Sequence, residues 1–285
     1  MTSAALAGPA EERPERRVAV IGDVGGHLQE LTTELRRLGG DPVAARLPAD
    51  LTVIQVGDLV HRGPDSAGVI ALVDRFLTNQ PGQWLQLVGN HEAQYLRRPS
   101  FDWPEHIGGD AVEVLRRWWA IGQMQAATAV HAAGESFLVT HAGLTQGFWR
   151  RTLGAPATVT EAAAAINSLI GTREDVLFRA GQMLSGRAAE RAAGPVWAAT
   201  AAELVPGWLG TTLPFSQVHG HASVFDWQHR QYRASEEIAR LTSVDEDAKH
   251  ETVHLDGGRI IGVDPGHGER PRLPWRAWEL TDASR

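Results

Sequence analysis

The 285-residue chain contains no cysteine. That excludes a disulfide framework and any thiolate metal site. No apolar run approaches the roughly 18 residues that a membrane-spanning helix needs. Residues 1–17 are small, charged and proline-containing, and they lack the apolar centre of a signal peptide. They read as a disordered tail, and the chain reads as cytoplasmic with no membrane partner. Basic residues are in the minority: 27 Lys and Arg against 34 Asp and Glu leave a net charge of −7. A strongly basic face for nucleic acid is therefore not indicated, although a local Arg cluster is compatible with that balance.

What the chain does have is length enough for one large domain or two small ones with a substantial core. It has ten Trp, which suit core and pocket-wall packing. It also has three apolar runs that each end in a glycine and then a polar group. Residues 18–21 run into Gly22-Asp23, residues 51–56 into Gly57-Asp58, and residues 86–88 into Gly89-Asn90-His91-Glu92. In an open α/β sheet, ligands gather beyond the carboxyl ends of the strands. Two aspartates, an amide oxygen and an imidazole converging there form a site for hard or borderline divalent metals.

The order of elements supports a parallel sheet. Residues 18–22 read as a buried strand, followed by a helix from about Gly26 with Leu28, Leu31, Leu35 and Leu38 at helical spacing. Residues 51–56 form the second strand. Pro64-Asp65-Ser66 opens a second helix, and residues 83–88 form a third strand. This β-α-β-α-β run implies right-handed crossovers. Residues 92–130 read as a mostly helical insertion, and residues 145–210 as an Ala-rich helical cap. Strands are expected at 137–140 and 215–218, a hairpin around Asp256-Gly257-Gly258, and a last edge strand within 275–280. The expected fold class is α/β: two mixed sheets packed face to face with helices outside, in one domain from 18 to 285.

Five blocks occur in order: Gly22-Asp23, Gly57-Asp58-Leu59-Val60-His61-Arg62-Gly63, Gly89-Asn90-His91-Glu92, Thr140-His141-Ala142-Gly143 and Gly220-His221. Over residues 18–221 the chain resembles the calcineurin-like metallophosphoesterases, nearest the phosphoprotein phosphatases and diadenosine tetraphosphatases. The resemblance implies the same two-sheet sandwich and a pair of divalent ions, with Mn, Fe or Zn expected. It implies that Asp58 bridges the ions, that Asp23 binds the first, and that Asn90, His141 and His221 bind the second. Bridged ions of this kind lie about 3.5–4 Å apart. Arg62 would then grip phosphate oxygens, and His91 would protonate the leaving group.

Two blocks depart from that pattern. The usual Gly-Asp-x-His-Gly reads Gly22-Asp23-Val24-Gly25-Gly26-His27, so Gly25 stands where a ligand is expected. The usual second block carries Asp where this chain has His61. Purple acid phosphatases share the Gly-Asp-x-Gly pattern and draw a Tyr ligand from the third residue after the bridging Asp, which here is His61. On that analogy His61 is expected to be a ligand of the first metal; the competing reading has it hydrogen-bonding His91. His27 and His219 read as supporting groups. Ser223 stands where many relatives have a further His. Neither Arg179 nor Arg187 sits in a matching motif, so a second phosphate-binding Arg is not assigned.

The expected activity is hydrolysis of a phosphorylated substrate by a water that two metals activate. The substrate would be a phosphomonoester, on protein serine or threonine or on a small molecule, or a nucleoside polyphosphate. The alternative is a non-catalytic phosphate- or nucleotide-binding protein on the same scaffold. Oligomeric state is not legible.

Overall fold

A computed structural model of the chain describes residues 16–187, 189, 191–267 and 274–284. Residues 1–15 of the expected disordered tail lie outside these residues; Arg16 and Arg17 are described, and Arg17 already opens the first strand. β1 (Arg17–Ile21) is buried from Val18 onward, as a central strand must be. α1 (Leu28–Arg37) turns Leu31 and Leu35 inward and carries Glu30 in its first turn and Arg36 and Arg37 in its last, the arrangement its dipole favours. β2 (Leu51–Gln55) pairs parallel with β1. α2 (Ser66–Asn79) starts at Asp65, whose carboxylate accepts the Gly68 N–H, and it buries Val69, Val73 and Phe76. β3 (Trp84–Leu87) pairs parallel with β2.

The segment expected to be mostly helical holds α3 (Asn90–Leu96) and α4 (Gly109–Ala120), but it ends in strands: β4 (Met124–Gln125) and β5 (Ala127–Ala132). β5 is rich in Ala and carries little intrinsic strand signal. Its six-residue antiparallel ladder with β6 (Glu135–Thr140) decides its state. The Ala-rich stretch is broken into α5 (Gln146–Arg151), α6 (Val159–Asn167), α7 (Glu174–Leu177) and α8 (Gln182–Ser185). A π-helical turn, Thr200–Leu204, then leads into α9 (Val205–Trp208).

The rest of the chain is mainly strand. It comprises β7 (Ser216–His219), β8 (Phe225–Asp226), β9 (Gln231–Tyr232), α10 (Glu236–Leu241), β10 (Thr242–Asp245) and β11 (His250–Leu255). The last three are β12 (Gly258–Gly262), β13 (Trp278–Leu280) and β14 (Ala283–Ser284). β11 and β12 form the hairpin expected around Asp256-Gly257, and β13 is an edge strand antiparallel to β1.

Two large mixed sheets result. One has the order β13-β1-β2-β3-β4, the other β10-β11-β12-β7-β6-β5-β14. Val18, Val20, Ile54, Val56 and Leu87 of the first sheet bury against Val130, Phe137, Val139, Val218 and Ile261 of the second. Phe137 meets Trp278 edge-on across this interface at 5.2 Å between ring centres. A contact of that kind adds roughly 0.5–1.5 kcal/mol beyond its buried area. On the outer side of the first sheet, Ala19, Ile21 and Val53 pack with Leu31, Leu35, Val73 and Phe76 of α1 and α2. Among the described residues no helix is long and apolar enough to cross a membrane.

The sandwich positions the site. β1, β2 and β3 run parallel in one sheet, and β6, β7 and β12 run parallel in the other. Polar residues just past the carboxyl ends of all six strands line or adjoin one cavity.

Candidate active site

Asp23 follows β1, Asp58 follows β2 and Asn90 opens α3 just after β3; His141 follows β6 and His221 follows β7. The structure brings all five together. Glu92 stitches two of these corners: its carboxylate accepts the N–H groups of Asp58, Leu59 and Gly89 at 2.8, 2.8 and 2.9 Å. Asp58 Oδ1 accepts the His91 N–H, and Asp23 Oδ1 accepts the His221 N–H, each at 2.9 Å. Asp58 and His221 hold left-handed backbone angles, φ 54° and 67°. Such angles cost energy for residues with a side chain and persist where surrounding bonds enforce them.

One ligand atom each from Asp58, His141 and His221 lie within 4.8 Å of one another. His141 Nδ1 donates to the Val56 carbonyl at 3.0 Å, so the neutral ring turns a bare Nε2 lone pair inward. That nitrogen lies 2.9 Å from Asn90 Oδ1 and 3.4 Å from Asp58 Oδ1. His221 Nδ1 is also 2.9 Å from Asn90 Oδ1. The His141 Nε2 lone pair and the Asn90 and Asp58 oxygens that face it repel at these distances unless a cation lies among them.

The electrostatics point the same way. Burial pushes Asp58 up to about 7 and raises Asp23 well above the carboxylate range, with the Asp264 and Asp58 charges adding to the second effect. Burial holds His141 well below the usual imidazole range and brings His221 down to about 3. Burial thus keeps the imidazoles neutral, as ligation requires, and disfavours the bare carboxylates, so a divalent ion taken up here would displace protons from Asp23 and Asp58. The donor set of two carboxylates, an amide oxygen and two imidazoles fits the expected metals.

His61 is not brought to this cluster. Its Nδ1 lies 2.9 Å from His91 Nδ1 and its Nε2 lies 2.5 Å from the Tyr95 hydroxyl. The ring also stacks on Trp103, with centres 5.5 Å apart and planes 15° apart. Both ring nitrogens thus face neighbours outside the cluster, the arrangement of the hydrogen-bonding alternative. The cause is local: φ is 72° at His61 and 66° at Arg62, and the tight turn aims the imidazole at α3. Burial lowers His61 to about 3 and His91 to about 4.

Arg62 does face the cavity, with its guanidinium 5.6 Å over the Trp103 ring. The cavity has a volume of about 430 Å³, and Phe101, Trp103 and Trp197 give it an aromatic wall. Arg179 lines a different pocket, and Arg187 lies on the surface. Arg233, which sequence reasoning missed, lines the same cavity and pairs with Asp226 at 2.9 Å. Asp264 and His267, just past β12, were missed too. The signal was present, because residues 259–263 are another apolar strand running into Asp-Pro-Gly-His. His27 packs its ring on His267 at 4.5 Å, and His219 is buried with Nδ1 donating to the Gly220 carbonyl.

Comparison with known proteins agrees with this architecture. Residues 16–174, more than half of the chain, match the family model described as calcineurin-like phosphoesterase. Serine/threonine-protein phosphatase 1 of Salmonella typhimurium is 38% identical over 87 residues, which is 30% of this chain and 34% of that protein. Serine/threonine-protein phosphatase 2 of Escherichia coli is 40% identical over 82 residues, 28% of this chain and 32% of that protein. The chain thus spans about a third of the length of the curated relatives it matches. A cold-active protein-tyrosine phosphatase from a psychrophilic Shewanella species superposes with a TM-score of 0.50 at 17% identity, over 91% of this chain and 73% of that one, a likeness of fold. With the family model covering both Gly-Asp corners, the Gly-Asn-His-Glu corner and His141, the chain belongs to the calcineurin-like phosphoesterase family.

Proposed function

We propose that this protein is a metal-dependent phosphoester hydrolase whose two divalent ions are held by Asp23, Asp58, Asn90, His141 and His221. The observation that supports this reading is the convergence of one ligand atom each from Asp58, His141 and His221 within 4.8 Å of one another, beside Asn90 Oδ1, which lies 2.9 Å from both His141 Nε2 and His221 Nδ1. When bound, such a pair of ions supplies a water of lowered pKa and offsets phosphoryl charge.

The chain's own residues do the rest. Arg62 binds the phosphoryl group with its planar fork, and Arg233, just past β9, lines the same cavity. His91 presents Nε2 toward the reacting centre, 3.7 Å from Asp58 Oδ2. It donates a proton to the departing oxygen once a dianionic phosphate makes the imidazolium favourable. His61 serves as a positioning residue: with its Nε2–H donated to Tyr95, its Nδ1 accepts the Nδ1–H of His91 and fixes that ring. Trp103 packs against both rings, at 4.4 Å from His91, and excludes water from the pair.

The aromatic wall favours a substrate with a planar group beside its phosphate, an aryl ester or a nucleoside polyphosphate, over an extended phosphoserine peptide. Hydrolysis of p-nitrophenyl phosphate, a dinucleoside polyphosphate and a phosphoserine peptide tests both parts. The two aromatic substrates should have the higher kcat/KM, and Trp103→Ala should narrow the gap. His141→Ala should abolish turnover of all three. Equal use of all three substrates would remove the aromatic preference, and an unimpaired His141→Ala would remove the metal-dependent reading itself.

A further inference from the structure

Gly25 leaves the first-metal side of the site without the side chain that the motif calls for, and a different part of the chain lies beside it. The carboxyl end of β12 delivers Asp264 and His267 into the same cavity as Asp23, Gly25 and Asp58. Asp264 stands two residues past its strand, as Asp23 does past β1 and His221 past β7. A Cβ built on Gly25 would lie 3.6 Å from the His267 Cβ and 3.7 Å from its Cδ2. The His267 side chain is therefore in van der Waals contact with the position a Gly25 side chain would take, beside the His61 carbonyl at 3.5 Å.

We infer that Asp264 and His267 are ligands of the first metal, replacing the group that Gly25 cannot provide. This rests on the reading of the site as a two-metal centre. Among the described residues, three buried carboxylates, Asp23, Asp58 and Asp264, line the cavity. Its guanidinium groups are Arg62 and Arg233, and Arg233 is already paired with Asp226. A third carboxylate there is unfavourable unless a cation shares it.

The segment is built to hold its place. β1 and β12 come together so closely that a side chain on Gly22 would collide with the Val263 carbonyl, which sets Asp264 beside the Asp23 corner. Asp264 Oδ1 accepts the Gly266 N–H at 2.8 Å, and its main-chain carbonyl accepts the Trp227 indole N–H at 3.0 Å. His267 is packed between the rings of His27, at 4.5 Å, and Trp275, at 6.3 Å. Held in this way, the two side chains need little ordering when an ion arrives.

The test is Mn²⁺ binding to metal-stripped protein, followed by electron paramagnetic resonance of free and exchange-coupled ions. Wild type, Asp264→Asn, His267→Gln and the double variant are compared. Wild type should bind two ions per chain and show the exchange-coupled signal. The double variant should keep one ion at the Asn90, His141 and His221 side, bind the other at least roughly tenfold more weakly, and lose the coupled signal. Two ions bound by the double variant as tightly as by wild type would overturn the inference and leave the two-metal reading intact. Fewer than two ions in wild type would overturn both. Asp264→Asn is isosteric and keeps the acceptor for Gly266. If the double variant fails to fold, this single variant decides: roughly tenfold weaker binding of one ion supports the inference, and unchanged affinity overturns it.

Discussion

His61 Nδ1 sits 2.9 Å from His91 Nδ1, so a neutral ring supports the candidate acid where the resemblance leads one to expect a carboxylate. A carboxylate at this position would stabilise imidazolium at His91. An imidazole, itself hydrogen-bonded to Tyr95, only orients it. His61→Asp should therefore leave metal content unchanged and speed the hydrolysis of alkyl phosphates, by up to roughly tenfold for each pH unit by which it raises His91. Metal analysis beside turnover checks this. Loss of an ion in His61→Ala would return His61 to the metal.

His91→Ala should keep both ions. It should slow an alkyl phosphate by roughly 10²–10⁴-fold and p-nitrophenyl phosphate far less, because nitrophenolate leaves without a proton. Steady-state rates on the two esters decide the matter, and equal losses would remove His91 from the acid role.

Glu251 gives a stability prediction away from the metals. Its carboxylate is buried and accepts the N–H groups of Val224 and Phe225 at 2.6 and 2.7 Å, yet burial pushes it up to about 7 from its ordinary 4.5. The unfolded chain ionises this group first. The fold is therefore destabilised as pH rises from about 4.5 to about 7, by about 3 kcal/mol at most, and the deficit is constant above that range. Glu251→Gln loses one acceptor but also loses this dependence. The stability of wild type minus that of the variant, from denaturant unfolding, should fall across pH 4.5–7. A flat difference would contradict the burial argument.

Much of this was legible in the sequence, for identifiable reasons. β1, β2 and β3 announce themselves as apolar runs, and α1 and α2 as leucine and valine stripes at helical spacing. Asp23, Asp58, Asn90, His91, His141 and His221 each stand at a glycine-marked strand end, so topology alone gathers them. β5 escaped because Ala127–Ala132 carries no strand signature and owes its state to β6. Tyr95, Trp103 and Arg233 escaped because their partners are set by how separate loops meet over the cavity. His61 shows a different limit. Spacing put it three residues from Asp58, but the direction of its ring, toward Tyr95, goes with the left-handed turn at His61 and Arg62, which spacing does not reveal.

Metal removal tests the central claim most directly. Purified protein should carry two divalent ions per chain. Exhaustive chelation should abolish hydrolysis of p-nitrophenyl phosphate, and added Mn²⁺ should restore it, with stoichiometry and rate recovering together. Hydrolysis that persists undiminished in verified metal-free protein, or a fully loaded protein with no turnover on any phosphoester, would contradict the account.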